Sequence, residues 1–288
     1  MNRLSLLVVF AFACFANIEA FGGFSSNFYN FLVQKYGKEY ADKLNRRDIQ
    51  KYPGSFGGGP HVAGEKMKKI PTVFVHGYSN GAYIFFFTIL PYLGLRGYSF
   101  QEMYGTSYGT YDPNKGMDQT GVNCEYILMN RRLIQAVSEF TNSTVNVVSV
   151  STGGPVVRKA ILGGKCVETG EDLGAPISHL VNVYISVCGA NHGAGSCQQV
   201  GAAPICNKIN GLACESKIFP DINAVGGYEG KKRYVIESMA DDVVFFKACG
   251  TKTMEFKNMT GKYVLRKLTH AQTFTQTFAL QYRLLSEQ

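Results

Sequence analysis

At 288 residues, with 45% apolar and only 17% charged side chains, the chain has enough length for one large or two small domains and is too apolar to be a disordered segment. Its net charge of +8 comes from scattered basic residues, apart from short clusters such as Lys66-Lys68-Lys69 and Lys231-Lys232-Arg233. Scatter of that kind reads as a solvated surface with at most a modest pull toward anionic lipid interfaces, and it argues against nucleic-acid binding.

The first twenty residues set the expected compartment. Arg3 gives a positive start, Leu6 to Ala16 is an apolar run, and Asn17-Ile18-Glu19-Ala20 ends on a small residue. This layout predicts a secretory signal peptide over residues 1–20 and one mature domain over 21–288. The run falls short of the about 20 apolar residues that span a bilayer, and charges and glycines interrupt every later apolar run. A secreted, extracellular protein without a transmembrane segment is therefore expected.

Further along, FYNFLVQKYGKEYADKL within 21–50 carries aromatic and apolar residues at three- and four-residue spacing, which predicts a helix. Residues 53–64 read as a glycine-rich loop with a solvated His61. Ile70 to Gly77 reads as a buried strand, 82–97 as a helix broken near Pro91, and 98–109 as a second strand running into a loop. A helix over 122–140, a strand over 145–151, and a helix from Thr152 to Leu162 follow. Residues 180–189 and 234–242 predict two more strands, 189–232 a long loop, and 270–285 a closing helix. Strands alternating with helices imply an α/β class with a mostly parallel central sheet flanked by helices.

Cysteine usage agrees with export. With Cys14 removed, seven cysteines remain, and an oxidising compartment would pair most of them. Cys197 and Cys206 enclose a short segment of small residues inside the long loop, so they are expected to pair. Cys214 is then assigned to Cys249, and Cys124 to Cys166. Cys188, at the end of an apolar strand-like run, is left free. No Cys-x-x-Cys pair exists, so no zinc site is expected. N-x-[ST] sequons at Asn142 and Asn258 are candidate glycan acceptors.

The chemistry-bearing residues cluster in four segments. In NVVSVSTGGPVVRKAILGG a buried strand ends at Ser151, and Gly153-Gly154 lead into a helix, the context of a strained nucleophile turn. Ser149 stands where the G-x-S-x-G pattern has its first glycine. In VFVHGYSNG a strand ends at His76-Gly77, so Tyr78 is a candidate oxyanion donor, with Thr152 as the second. Asp241 follows a strand in ESMADDVV, and His270 precedes the last helix in KLTHAQTF. Their order Ser151, Asp241, His270 is that of α/β-hydrolase triads. Asp241 rather than Asp242 is expected to orient the imidazole, with Asp242 facing away. Among five histidines, His192 in GANHG is the rival base, but it precedes Asp241.

Taken together, VFVHG, the S-x-S-x-G turn with PVVRKAILGGKC, GANHG, NGLACESK with DIN, YEGK, SMADDVV and LTHAQT resemble the secreted class-2 esterase/lipases, which are abundant in nematodes and related to small bacterial lipases. The resemblance covers about residues 30–286. It implies an α/β-hydrolase fold and a carboxylic-ester hydrolase acting on lipid or small ester substrates through an acyl-enzyme. Ser151 would be nucleophile, Asp241 orienting carboxylate, His270 base, and Tyr78 and Thr152 oxyanion donors, with no cofactor. Ser149 departs from the glycine or alanine of related lipases, which leaves a catalytically impaired lipid-binding protein as the alternative.

Overall fold

A computed structural model describes residues 22–287, so the expected signal segment and Cys14 lie outside the described residues. Eight strands form one sheet: β1 (Gly23–Phe24), β2 (Ser55–Gly57), β3 (Thr72–Val75), β4 (Met103–Thr106), β5 (Val145–Val150), β6 (Val181–Val187), β7 (Lys232–Ser238) and β8 (Gly261–Leu265). Their order is β1-β2-β4-β3-β5-β6-β7-β8. Every join is parallel except β2 against β4.

The sheet's centre follows directly from the sequence. β5, VNVVSV, is β-branched at four of its six positions and buried at all six. Alternate side chains of a strand face opposite sides, so both faces of β5 are covered. The covering helices are α1 (Ser26–Tyr36), α2 (Lys38–Asn45), α3 (Tyr83–Phe86), α4 (Ile89–Gly94), α5 (Cys124–Phe140), α6 (Gly153–Leu162), α7 (Ile218–Ala224), α8 (His270–Thr275) and α9 (Phe278–Ser286). α5 packs across β3, β4 and β5 with α1 and α6 beside it, and α9 packs on β6 with α4 against it. A mostly parallel sheet wrapped by helices in this way is the α/β-hydrolase fold.

Several expected elements are corrected. The helix over 21–50 divides at Gly37, and the closing helix divides between Thr275 and Phe278. The break in 82–97 falls at Phe87-Thr88 rather than at Pro91. Pro91 sits in the first turn of α4, where the missing N–H has no helical partner to lose. The segment 53–64 is not only loop, because it contributes β2. His61 is buried, not solvated: its Nε2 lies 3.3 Å from the Phe140 carbonyl and its ring meets Phe140 edge-on.

The long stretch 189–232 is also more ordered than expected. It carries α7, which docks on α6 through buried charge. Arg158 is fully buried and reaches Glu229 Oε1 at 3.0 Å, Asn223 Oδ1 at 2.9 Å and the Ile222 carbonyl at 2.9 Å. Lys159 pairs with Asp221 at 2.7 Å. A buried guanidinium left unpaired would be strongly destabilising, so these partners fix α7 against the helix that follows Ser151. Disulfides join Cys197 to Cys206, Cys214 to Cys249 and Cys124 to Cys166, and Cys188 is a buried free thiol. Asn142 and Asn258 are exposed turn residues. Among the described residues no helix is long and apolar enough to cross a membrane.

One buried carboxyl gives the fold a pH dependence. Glu237, near the end of β7, is fully buried, and among the described residues neither carboxyl oxygen has a hydrogen-bond partner. Burial, reinforced by the nearby Glu255 carboxylate, raises its pKa from 4.5 to about 7. A carboxyl whose pKa is raised on folding favours the folded state fully at low pH, and that contribution is lost as pH rises through about 7. A shift of this size corresponds to roughly 3 kcal/mol. Glu237→Gln should therefore unfold at a higher temperature than the parent protein at about pH 8. The two should be nearly equal near pH 4. Thermal unfolding followed by circular dichroism at both pH values checks this, and equal stability at the higher pH would refute it.

Candidate active site

The candidate residues gather at the carboxyl ends of neighbouring parallel strands, where open α/β sheets place their ligand sites. Tyr78 follows β3, Ser151 follows β5, Asp241 follows β7 and His270 follows β8. Ser151 has φ +56°, in the left-handed region that side chains with a Cβ avoid. Its backbone is held on both sides: the Ser151 N–H donates to the Val187 carbonyl at 3.0 Å, and its carbonyl accepts from Ala190 at 3.1 Å. The flanking glycines are required by space. A Cβ on Gly153 would lie 2.5 Å from the carbonyl oxygens of Val75 and His76, and one on Gly77 would lie 2.8 Å from the Ser151 Cβ. Ser149 is accommodated because it is fully buried with its hydroxyl 2.9 Å from that of Tyr184.

His270 and Asp241 form a pair. His270 Nδ1 lies 2.7 Å from Asp241 Oδ2, and the Asp241 side chain is buried. Asp241 Oδ1 accepts the Val243, Val244 and Phe245 N–H groups at 3.1, 2.8 and 3.3 Å, which anchors the side chain. His270 is equally fixed, as the first residue of α8 behind a capping box. Thr269 Oγ1 accepts the Gln272 N–H at 3.3 Å, and Gln272 Oε1 accepts the Thr269 N–H at 3.0 Å. The signature T-x-x-Q is written in Thr269 to Gln272 and could have placed this helix start from sequence.

Asp242 does not face away as expected. Its Oδ1 accepts the His270 backbone N–H at 2.9 Å, and that bond holds its carboxyl below the usual carboxylate range. One aspartate thus meets the ring and its neighbour meets the backbone of the same histidine.

Cys188 completes the surroundings. The fully buried thiol donates to the His270 carbonyl at 3.7 Å, and a donor atom from each of Cys188, Asp241 and His270 lies within 4.8 Å of the others. These are the residues of the site that could hold a metal, but Asp241 and His270 are already bonded to each other. Burial opposes a charge on the His270 ring, yet the Cys188 sulfur and the Asp241 carboxylate outweigh it and raise its pKa above the ordinary histidine value. His192 is elsewhere, with its Nδ1 3.3 Å from Asn223 Nδ2 and its pKa lowered to about 4, chiefly by burial. Among the described residues it contacts no carboxylate at hydrogen-bond distance.

The loop after β3 is aimed by its own histidine. His76 is fully buried and stacked on Tyr108 with ring centroids 3.9 Å apart. Its Nε2 accepts the Tyr108 N–H at 3.0 Å, so Nδ1 carries the proton and donates to the Gly77 carbonyl at 2.9 Å. Burial lowers its pKa to about 3, keeping the ring neutral. A trans peptide points its C=O and N–H in opposite directions. Fixing the Gly77 carbonyl therefore turns the Tyr78 N–H away from His76, and neither the Tyr78 nor the Thr152 N–H is bonded to an acceptor among the described residues.

Comparison with known proteins agrees with this architecture. Among solved structures, the mature Bacillus licheniformis lipase BlEst2 superposes with a TM-score of 0.55 at 16% identity, covering 80% of this chain and 97% of that one. Aspergillus fumigatus lipase B gives 0.52 at 16% identity, covering 81% of this chain and 56% of that one. The Legionella pneumophila phospholipase PlaB with thio-NAD gives 0.51 at 16% identity, covering 76% and 59%. At such identities the likeness is one of fold. No curated protein matches the chain. The family described as Lipase (class 2) matches residues 69–283, three quarters of the sequence, and the chain belongs to that family.

Proposed function

We propose that the protein is a secreted serine hydrolase that cleaves carboxylic esters, lipid esters such as triacylglycerols among them, through an acyl-enzyme on Ser151. The observation that carries this reading is the 2.7 Å Asp241–His270 pair, together with a serine held at φ +56° at the carboxyl end of a strand in the same sheet. Ser151 Oγ attacks the ester carbonyl while His270 Nε2, the nitrogen left free by Asp241, takes its proton. Asp241 fixes the tautomer and stabilises the imidazolium. The Tyr78 and Thr152 N–H groups receive the negative charge that grows on the carbonyl oxygen. His270 returns the proton to the departing alkoxide, and a water deprotonated by His270 then cleaves the acyl-enzyme.

The same reading makes residues 1–20 a signal peptide and 21–288 one mature hydrolase domain. Three disulfides fit export to an oxidising compartment, and exposed Asn142 and Asn258 are glycan acceptors there. The net positive charge supports transient contact with anionic lipid interfaces. The alternative of an impaired lipid-binding protein rested on Ser149, and its hydroxyl is occupied by Tyr184 rather than turned against the Ser151 turn. Hydrolysis of p-nitrophenyl esters of graded chain length tests the reading. Saturable turnover is expected, and no turnover of any chain length would contradict it.

A further inference from the structure

The loop between β3 and α3 carries the Tyr78 N–H, and it is irregular backbone with a second strained residue, Ser79 at φ +56°. Such a loop needs something to hold it, because strained positions persist only where the surroundings over-determine them. His76 holds the Gly77 carbonyl, and Ser107 Oγ accepts the Ala82 N–H at 2.7 Å. The middle of the loop is held by a residue far away in sequence. Gln119 follows the small hairpin formed by residues 110–118 and is fully buried. Its Oε1 accepts the Ser79 N–H at 2.6 Å, and its Nε2 donates to the Asn80 carbonyl and to the Tyr108 carbonyl, each at 3.1 Å.

A buried amide is costly unless both ends are bonded, and here both ends are used on the loop and its support. Tyr108 is also what His76 stacks on and accepts from, so the two clamps share one anchor. The segment behind Gln119 is tied down in turn. The Val122 N–H donates to the Asn210 carbonyl at 2.6 Å, and Asn207 Nδ2 donates to the Thr120 carbonyl at 3.0 Å, both from the stretch that follows the Cys197–Cys206 bridge.

We propose that Gln119 is a positioning residue for the ester-hydrolysis reaction, clamping Ser79 and Asn80 so that the Tyr78 N–H stays aimed at the developing oxyanion. Among the described residues the bonds of Gln119 run to Ser79, Asn80 and Tyr108 and not to Ser151, so it acts through the loop. The inference rests on the proposed serine-hydrolase reading. Donors for an oxyanion act mainly in the transition state, so losing the clamp lowers kcat and leaves substrate binding nearly alone.

The test compares the parent enzyme with Gln119→Met, which keeps the volume and removes all three bonds, and Gln119→Glu, which keeps the acceptor for Ser79 only. With a p-nitrophenyl ester, Gln119→Met should lose about 10- to 100-fold in kcat with KM changed by less than about 3-fold, and Gln119→Glu, which sets a carboxylate oxygen against the Asn80 and Tyr108 carbonyls, should lose at least as much. Equal kcat in Gln119→Met, or a loss that falls in KM, overturns the proposal while leaving the serine-hydrolase reading intact. A parent enzyme inactive on every ester is instead the failure of that reading. Amide hydrogen exchange by NMR in the parent protein reads the clamp without any variant or substrate. Slow exchange at Ser79 is expected, and exchange as fast as in an open loop overturns the proposal even if the variants do not fold.

Discussion

Ser151→Ala should abolish ester hydrolysis, with kcat falling by about 10⁶-fold, the scale seen when the nucleophile of a comparable triad is removed. The protein should remain folded. The replacement deletes one hydroxyl, keeps the Cβ, and leaves in place the backbone bonds to Val187 and Ala190 that hold the turn. Its melting temperature should stay within a few degrees of the parent, because surrounding contacts are unchanged. Turnover in the alanine protein well above background would remove Ser151 from the mechanism, whatever the fold. A collapse of the melting temperature would instead show that the hydroxyl supports the turn.

The second large effect separates two neighbouring carboxylates. Asp241→Asn should lower kcat by about 10⁴-fold, because an amide can donate to Nδ1 and so favour the wrong tautomer. Asp242→Asn should cost less than about 10-fold, since an asparagine Oδ1 still accepts the His270 N–H and only the charge near the start of α8 is lost. The pH profile gives an independent check. A base whose pKa is raised is neutral only at higher pH, so the acid limb of kcat/KM should lie above the ordinary histidine value of 6.5. Activity should then fall as pH drops through that limb. A greater loss in Asp242→Asn than in Asp241→Asn would reverse the assignment, and an acid limb below 6.5 would contradict the raised pKa.

Legibility in the sequence was uneven for physical reasons. β3, β5, β6 and β7 were visible because buried parallel strands read as continuous β-branched runs, and the helix after Ser151 was announced by its glycines. β8 was not, because Gly261–Leu265 is a sheet-edge strand whose apolar run, Tyr263-Val264-Leu265, is only three residues long between Lys262 and Arg266. β1 and β2 are two and three residues long and are set by pairing with distant chain, which no local pattern reports. α7 was hidden in the cysteine-rich stretch because it is only seven residues long, so its buried Ile218, Phe219 and Ile222 make too short a period to stand out, and the pairing of Arg158 and Lys159 with it appears only in the fold. The chain order of Ser151, Asp241 and His270 could be read directly. The clamp from Gln119 could not, since a glutamine in a polar segment carries no signal until the fold brings Ser79 beside it.

The assignment of Ser151 as nucleophile is tested most directly by reaction of the folded protein with a fluorophosphonate, followed by peptide mapping of the adduct by mass spectrometry. A single equivalent bound on the peptide containing Ser151, absent from Ser151→Ala and much slowed in His270→Ala, is the predicted result. An unreacted protein, or an adduct on any other residue, would contradict the assignment of Ser151 as the nucleophile.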